Sequence, residues 1–121
     1  MTKAVLRQAC LRGADMSGVN LEEADLREAD LREANLRGAS LRQARMDRTD
    51  LRAARLGGAL LDGASLRGAD LRGAYLRLAR LDGADLSAAD LRETQGLVGA
   101  QLAATRGLTD SRLPAGLSAP E

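Results

Sequence analysis

From Leu6 onward an aliphatic residue recurs at every fifth position of the chain. Leu or Met stands at 6, 11, 16, 21, 26 and so on to 91, which makes 18 consecutive occurrences without a slip. Two residues before each comes a small residue, Ala in all but two cases (Val19 and Thr49). Between them stands a polar residue in many repeats, as at Asp15, Asn20, Asp25, Asp30, Asn35 and Ser40, and Arg usually follows the Leu. A period of five fits neither regular element. On a helix at roughly 100° per residue it sprays the leucines around the whole cylinder. On a straight strand an odd period flips each successive Leu to the opposite face. One arrangement keeps every Leu inside, namely a short strand and a corner in each five residues. Four corners then close a coil in 20 residues, and coils stack at about 4.8 Å. The Leu and the Ala two before it point inward and should be buried, and the other three positions point out.

The pattern resembles that of the pentapeptide-repeat family, Ala-(Asp/Asn)-Leu-x-x, from Ala4 to Glu93, with full matches in stretches such as residues 29–33 and 69–73. The resemblance implies an all-β solenoid, a right-handed quadrilateral parallel β-helix of about 4.5 coils, ending in a short α-helical cap. Many family members place Phe at the central position, whereas this chain has none, so its core should be a narrow Leu ladder. Gly at 13, 18, 38, 58, 63, 68, 73 and 83 suits corners with unusual backbone angles.

Composition removes several function classes. The 121 residues carry 18 Lys+Arg against 17 Asp+Glu, a net charge of +1, with no His, one Cys and one Tyr as the sole aromatic. That balance argues against direct nucleic-acid binding, and one aromatic supplies too few stacking platforms for single strands. Without His, acid–base chemistry and zinc lose their favoured side chain, and Cys10 has no base beside it. A disulfide within the chain is excluded. Gly68 and Gly73 have P-loop spacing, but Ala74 and Tyr75 stand where Lys and Ser/Thr are needed. No cofactor or metal site is expected, and a rod without a cleft argues against an enzyme. No apolar run approaches the ~20 residues of a membrane span, and no hydrophobic leader is visible at the start, so the expectation is a soluble cytoplasmic protein.

Residues 20 apart should stack in columns. One face carries Arg12, Arg32, Arg52, Arg72 and Arg92 beside Cys10, Asp30, Asp50, Asp70 and Asp90. The Asp column should neutralise the Arg column in a solvated lattice; alternatively the arginines recognise phosphate or carboxylate groups of a partner. The next face carries Arg37, Arg55, Arg77 and Tyr75, and the one after it Glu22, Glu23, Asp62 and Asp82 among Arg42 and Arg80. Leu60 and Leu78 occupy outward positions where polar residues or Gly are usual, and with Tyr75 they should form an apolar patch, a second candidate partner site.

The repeat domain is read as 1–93 and the cap as 94–121. Residues 98–106 read as a helix, with Val98 and Leu102 four apart and Gly107 as its stop, followed by an extended tail over 112–118. Leu108, Leu113, Pro114 or Leu117 is expected to fold over the Leu60–Tyr75–Leu78 patch. At the other end only Met1–Lys3 precede the repeat, so the first coil should be open; either the chain is a fragment of a longer repeat or two copies meet there, and a homodimer joined end to end through it is expected. The resemblance offers a competing joint through the C-terminal helices. The function expected is a non-catalytic scaffold for an unnamed protein partner. The resemblance also implies an alternative, a mimic of double-stranded DNA that binds and protects DNA gyrase or another type II topoisomerase, although the neutral repeat region and uninterrupted pentads lack the acidic surface and projecting loops of such members.

Overall fold

In a computed structural model, which describes residues 3–117, the five-residue pattern becomes an all-β solenoid. Parallel bridges join residues 20 apart, from Val5–Asp25, Cys10–Asp30, Asp15–Asn35 and Asn20–Ser40 up to Tyr75–Gln95. Four bridges, five residues apart, fill each coil.

Where Asp or Asn precedes the Leu, the period satisfies every backbone donor. In the pentad Asp25–Ala29, the Asp25 N–H donates down to the Ala4 carbonyl at 2.8 Å, the Leu26 N–H up to Arg45 O at 2.7 Å and the Glu28 N–H up to Asp47 O at 3.0 Å. The Ala29 N–H closes the turn on Leu26 O at 3.1 Å. The remaining donor, Arg27 N–H, is taken by the Asp25 carboxylate at 3.2 Å. The small acidic or amide residue before the Leu is thus an acceptor for the one amide that neither the turn nor the next coil can reach. Asn20, Asn35, Asp50, Asp70, Asp85 and Asp90 repeat the bond to the amide two residues on.

Each corner places the second residue after the Leu at positive φ, as a type II turn requires at its third position. Many of these are not Gly. Glu23, Glu28, Glu33, Gln43, Arg48, Ala53, Leu78 and Ala88 all lie within a few degrees of φ +60°.

Inside, the central Leu or Met is buried in every pentad from Leu21 to Leu91, and the small residue two before it from Ala24 to Ala89. Thr49 holds one of the small-residue positions without harm, because its buried hydroxyl donates to Met46 O at 2.8 Å. Leu6, Leu11 and Met16 are only half-buried, because no coil lies beneath them.

Past the last pentad the bridges continue without the repeat. Gln95 pairs with Tyr75, Arg106 with Asp85 and Arg112 with Asp90. The spacing grows from 20 to 21 and then 22, so the final coil absorbs two extra residues. The helix expected over 98–106 is a single turn, α1, Gly99–Leu102. It ends early because Ala104 and Arg106 leave it to bond with Gly83 and Leu86 of the coil below. Nor is the tail extended throughout, since Ala115 and Gly116 form a turn; Ser118 lies outside the described residues. α1 takes the place of a bridge above Arg80, and the Gln101 side chain compensates. Its Nε2 donates to Leu76 O at 2.8 Å and Ala79 O at 2.9 Å, while its Oε1 accepts from the Val98 N–H at 2.8 Å. Leu102 and Leu108 lie buried in the same cluster as the core leucines.

Two glycines let this last coil approach. Both have positive φ. A Cβ on Gly96 would lie 2.8 Å from Arg77 Cβ, and one on Gly107 would lie 2.6 Å from Ser87 N and 2.7 Å from Ser87 Cα. Gly107→Ala should therefore cost about 2–4 kcal/mol, from left-handed strain plus overpacking. Gly13→Ala, with nothing within 4 Å of the new methyl, should cost only about 1–2 kcal/mol. Urea denaturation of the two variants checks the ordering, and equal midpoints would show that the close approach carries no weight.

Candidate functional site

The five arginines of the first candidate face stand where the sequence places them, but they are engaged. Arg32 donates from Nε and Nη2 to both oxygens of Asp30 at 2.9 and 2.7 Å. Arg52, Arg72 and Arg92 hold Asp50, Asp70 and Asp90 in the same way, at 2.6–2.9 Å. Arg32, Arg52 and Arg72 also reach the Asp of the coil above, at Asp50 (3.7 Å), Asp70 (3.6 Å) and Asp90 (3.7 Å) respectively. The result is one alternating ladder from Asp30 to Arg92. Arg12 stands at its foot above no Asp, since Cys10 occupies that position, and pairs with Glu33 at 3.3 Å.

The geometry follows from sequence. Asp and Arg flank an inward Leu, so both point outward on one strand, and the Asx bond to the Arg amide draws the carboxylate toward the guanidinium. The hydrogen bonds from Arg27 and Arg32 hold the carboxyls of Asp25 and Asp30 at about 2. Asp70 and Asp90 are lowered by the same contact from Arg72 and Arg92. Asp85 is lowered chiefly by the Ser87 hydroxyl and Asp15 by the Ser17 amide. The guanidiniums of Arg32 and Arg72 are raised in turn.

The second candidate site comes together only in part. Tyr75 and Leu78 line one shallow depression with Arg37, Gly57, Gly58 and Arg77. Leu60 is half-buried between Ser40 and Arg80 in a column of the neighbouring face and does not line it. The tail does not fold over the patch. Leu108 is buried in the core cluster, Leu113 and Leu117 pack against that cluster, and Leu78 remains 73% exposed and Tyr75 48%. The apolar side chains of the tail go instead to the larger apolar surface, the upper end of the Leu stack.

The sequence reading passed over the charge state of this face. Among the described residues, Arg37, Arg55 and Arg77 make no ion pair within 4 Å, while most other arginines of the solenoid have one. The signal was present. Where the ladder face carries Asp, this face carries Asn35, Arg55 and Tyr75.

A stack of short strands with a filled core and ion-paired outer columns defines a repeat solenoid whose variable chemistry lies on its outer faces. The chain matches the family described as pentapeptide repeats, in 8 copies, over residues 1–38, 14–52 and 59–94. It belongs to the pentapeptide-repeat family. Among solved structures it is similar to a pentapeptide repeat protein from Nostoc Pcc 7120, with 32% identity and a TM-score of 0.72, covering 96% of this chain and 78% of that one. It is also similar to Rfr23 from the cyanobacterium Cyanothece 51142, with 35% identity, a TM-score of 0.66, and 82% and 63% of the two chains covered. QnrB1, a plasmid-mediated fluoroquinolone resistance protein, shares the fold at 19% identity and a TM-score of 0.58, over 90% of this chain and 59% of that one. No curated protein matches the chain. No helix among the described residues is long and apolar enough to cross a membrane.

The lowered carboxyls set a direction for acid stability. Their folded values lie below the ordinary carboxylate value of about 3.9, so the unfolded chain takes up protons first. The stabilisation is complete above about pH 4 and is lost as pH falls toward about 2, the folded value of Asp25 and Asp30. Thermal melts by circular dichroism should show a melting temperature level from pH 7 to 5 and falling between pH 4 and 2. Asp30→Asn should flatten that fall, and an identical slope in the variant would contradict the account.

Proposed function

We propose that this protein is a non-catalytic scaffold that binds another protein through its outer columns. The observation that supports this most directly is the pairing state of the surface. The core is a uniform Leu–Ala stack with no room for a substrate, and the depressions on the surface are shallow. Most ionisable groups sit in exposed pairs, which contribute little to stability yet hold their side chains in register at the spacing of the coils. A rigid display of ordered side chains suits recognition without an ordering cost at the moment of binding. The winding we assign is right-handed and four-sided. Four bridges in each 20-residue coil support the sides, and the strong right-handed preference of parallel crossovers supports the hand. Residues 94–117 act as the cap of that stack, supported by the burial of Leu102 and Leu108 over the last coil.

The topoisomerase reading gains less support. A duplex mimic needs carboxylates free to stand in for phosphates, and on the most regular face each Asp is held by Arg. The likeness to QnrB1, at 19% identity, speaks for the fold alone. A photo-crosslinking residue placed in turn at Arg67, Arg92, Leu78 and Asp82, one on each face, tests both readings in the producing cell. A recurrent adduct with one protein from one face is the expected result. An adduct with a gyrase or topoisomerase subunit would replace the scaffold reading by the mimic, and no adduct from any face would overturn both.

The lower end supports a second copy as a neighbour. Leu6, Leu11 and Met16 are half-buried and Val5 is 78% exposed, whereas the upper end buries Leu102 and Leu108. Two first coils meeting about a two-fold axis would cover that surface in a closed, self-complementary contact. Light scattering should then give a dimer for the natural chain and a monomer for Leu6→Arg combined with Val5→Asp. A dimer that survives the double change would place the joint at the C-terminal end instead.

A further inference from the structure

On the face next to the Arg ladder, the column of residues that follow the central Leu or Met reads Ser17, Arg37, Gly57 and Arg77. Gly57 is the one glycine in the repeat at this position, and Gly57–Gly58 is the one Gly-Gly pair of the chain. Stacking turns that doublet into a notch one coil high. Its floor is bare backbone, since a Cβ on Gly57 would meet Arg77 O at 3.8 Å and Arg37 Cγ at 4.0 Å, and one on Gly58 would meet nothing within 4 Å. Arg37 lies one coil below and Arg77 one coil above, so their strands are separated by about 9.6 Å, twice the coil spacing. Tyr75 and Leu78 complete the lining. Arg55, next to Tyr75 in the bridge column, flanks it.

Three properties distinguish this notch from the rest of the surface. Its arginines have no acidic partner among the described residues, unlike those of the ladder. Leu78 is 73% exposed and holds φ at +62°, in a corner column that is otherwise Gly18, Gly38 and Gly58. A large apolar side chain in solvent at a strained angle stabilises nothing in the isolated chain. Tyr and Arg together are also the residue types that carry most binding energy at protein interfaces.

We propose that the Gly57 notch is the docking site for an acidic segment of a partner protein. A carboxylate of that segment sits over Gly57 between the Arg37 and Arg77 guanidiniums, and a neighbouring apolar side chain lies on Tyr75 and Leu78. Charge complementarity selects the occupant. The guanidinium fork matches a carboxylate with two donors, and the apolar flank matches the side chain next to it. A nucleic acid fits less well. Three cations within about 10 Å neutralise few phosphates, and the adjoining face presents Glu22, Glu23, Asp62 and Asp82 to the rest of a long polyanion. The inference rests on the protein-scaffold reading and names the surface it would use.

A fluorescein-labelled pentapeptide of alternating Asp and Phe serves as the probe, with binding read by fluorescence anisotropy at low salt. The natural chain should bind it with saturation, and Arg37→Ala with Arg77→Ala should weaken binding at least tenfold. Gly57→Arg separates the notch from mere charge. It restores the residue usual at that position and adds a cation, yet it fills the floor, so binding should fall about tenfold. Leu78→Gly should weaken binding several-fold while leaving the melting temperature unchanged or higher, which separates recognition from folding. Arg92→Ala, on the ladder, should change nothing. Equal or tighter binding by Gly57→Arg would overturn the proposal, as would absence of binding at millimolar probe. Stronger competition by a 20-residue oligothymidylate than by unlabelled peptide would overturn it in favour of nucleic acid. If the probe fails while crosslinks still form from another face, the notch falls and the scaffold reading stands.

Discussion

In each pentad with Asp or Asn before the Leu every backbone N–H finds an acceptor, and this bonding between and within coils is the constraint on which the rest of the molecule depends. Three donors engage neighbouring coils, one closes the turn, and one is taken by the side chain before the Leu. A buried or edge-on amide without a partner costs about as much as a lost hydrogen bond. The pentads with Asp or Asn before the Leu avoid that loss at their corners, whereas those with Arg55, Leu60 or Tyr75 in that place make no such bond. The side chain of Asp25 or Asn35 is therefore part of the backbone's bonding pattern, and its charge is a secondary feature.

That secondary charge then organises the surface. An Asp already bonded to the amide two residues on stands beside the side chain of the same residue. When that residue is Arg, as at 27, 32, 52, 72 and 92, a two-point ion pair forms with little further ordering. When it is Ser, as at Ser17 and Ser87, the hydroxyl donates instead. The ladder on one face is a by-product of donor satisfaction repeated every 20 residues. Where the residue before the Leu is Asn35 or Tyr75, the local ion pair is lost, and Arg37 and Arg77 have no acidic partner among the described residues.

The core and the corners divide the energetic roles. Leu and Ala fill most of the interior in each coil, at roughly 1.5–3 kcal/mol for each fully buried Leu, and only Met46 and Thr49 vary the buried pattern from Leu21 to Leu91. The corners oppose folding slightly, since each non-Gly residue at positive φ carries about 1–2 kcal/mol of strain. Glu28, Glu33 and Arg48 accept that strain and supply a charge that pairs across coils. Leu78 accepts it and pairs with nothing.

The sequence by itself determined the coil. The unbroken spacing of Leu and Ala could be reconciled with burial in one way only, and that gave the 20-residue turn, the inward and outward positions and the column partners such as Arg32 with Asp50. What the tertiary structure decided lay where periodicity ends or where two columns must be compared. The helix over 98–106 was legible as an i, i+4 pattern, but Arg106 and Arg112 bonded to the coil below, and strand edges that would otherwise go unsatisfied outweighed the propensity of a single short helix. The fate of Leu108 and Leu113 depended on a competition between two apolar surfaces that no local pattern ranks, and the open end of the Leu stack was the larger. The neutralisation of the Arg column by the Asp column was legible in the sequence, but the two-point pairing along each strand was not, because the sequence shows charges in columns without their torsions. Only side-chain geometry shows that Asp30 captures Arg32 while Arg37 and Arg77 line one depression around Gly57.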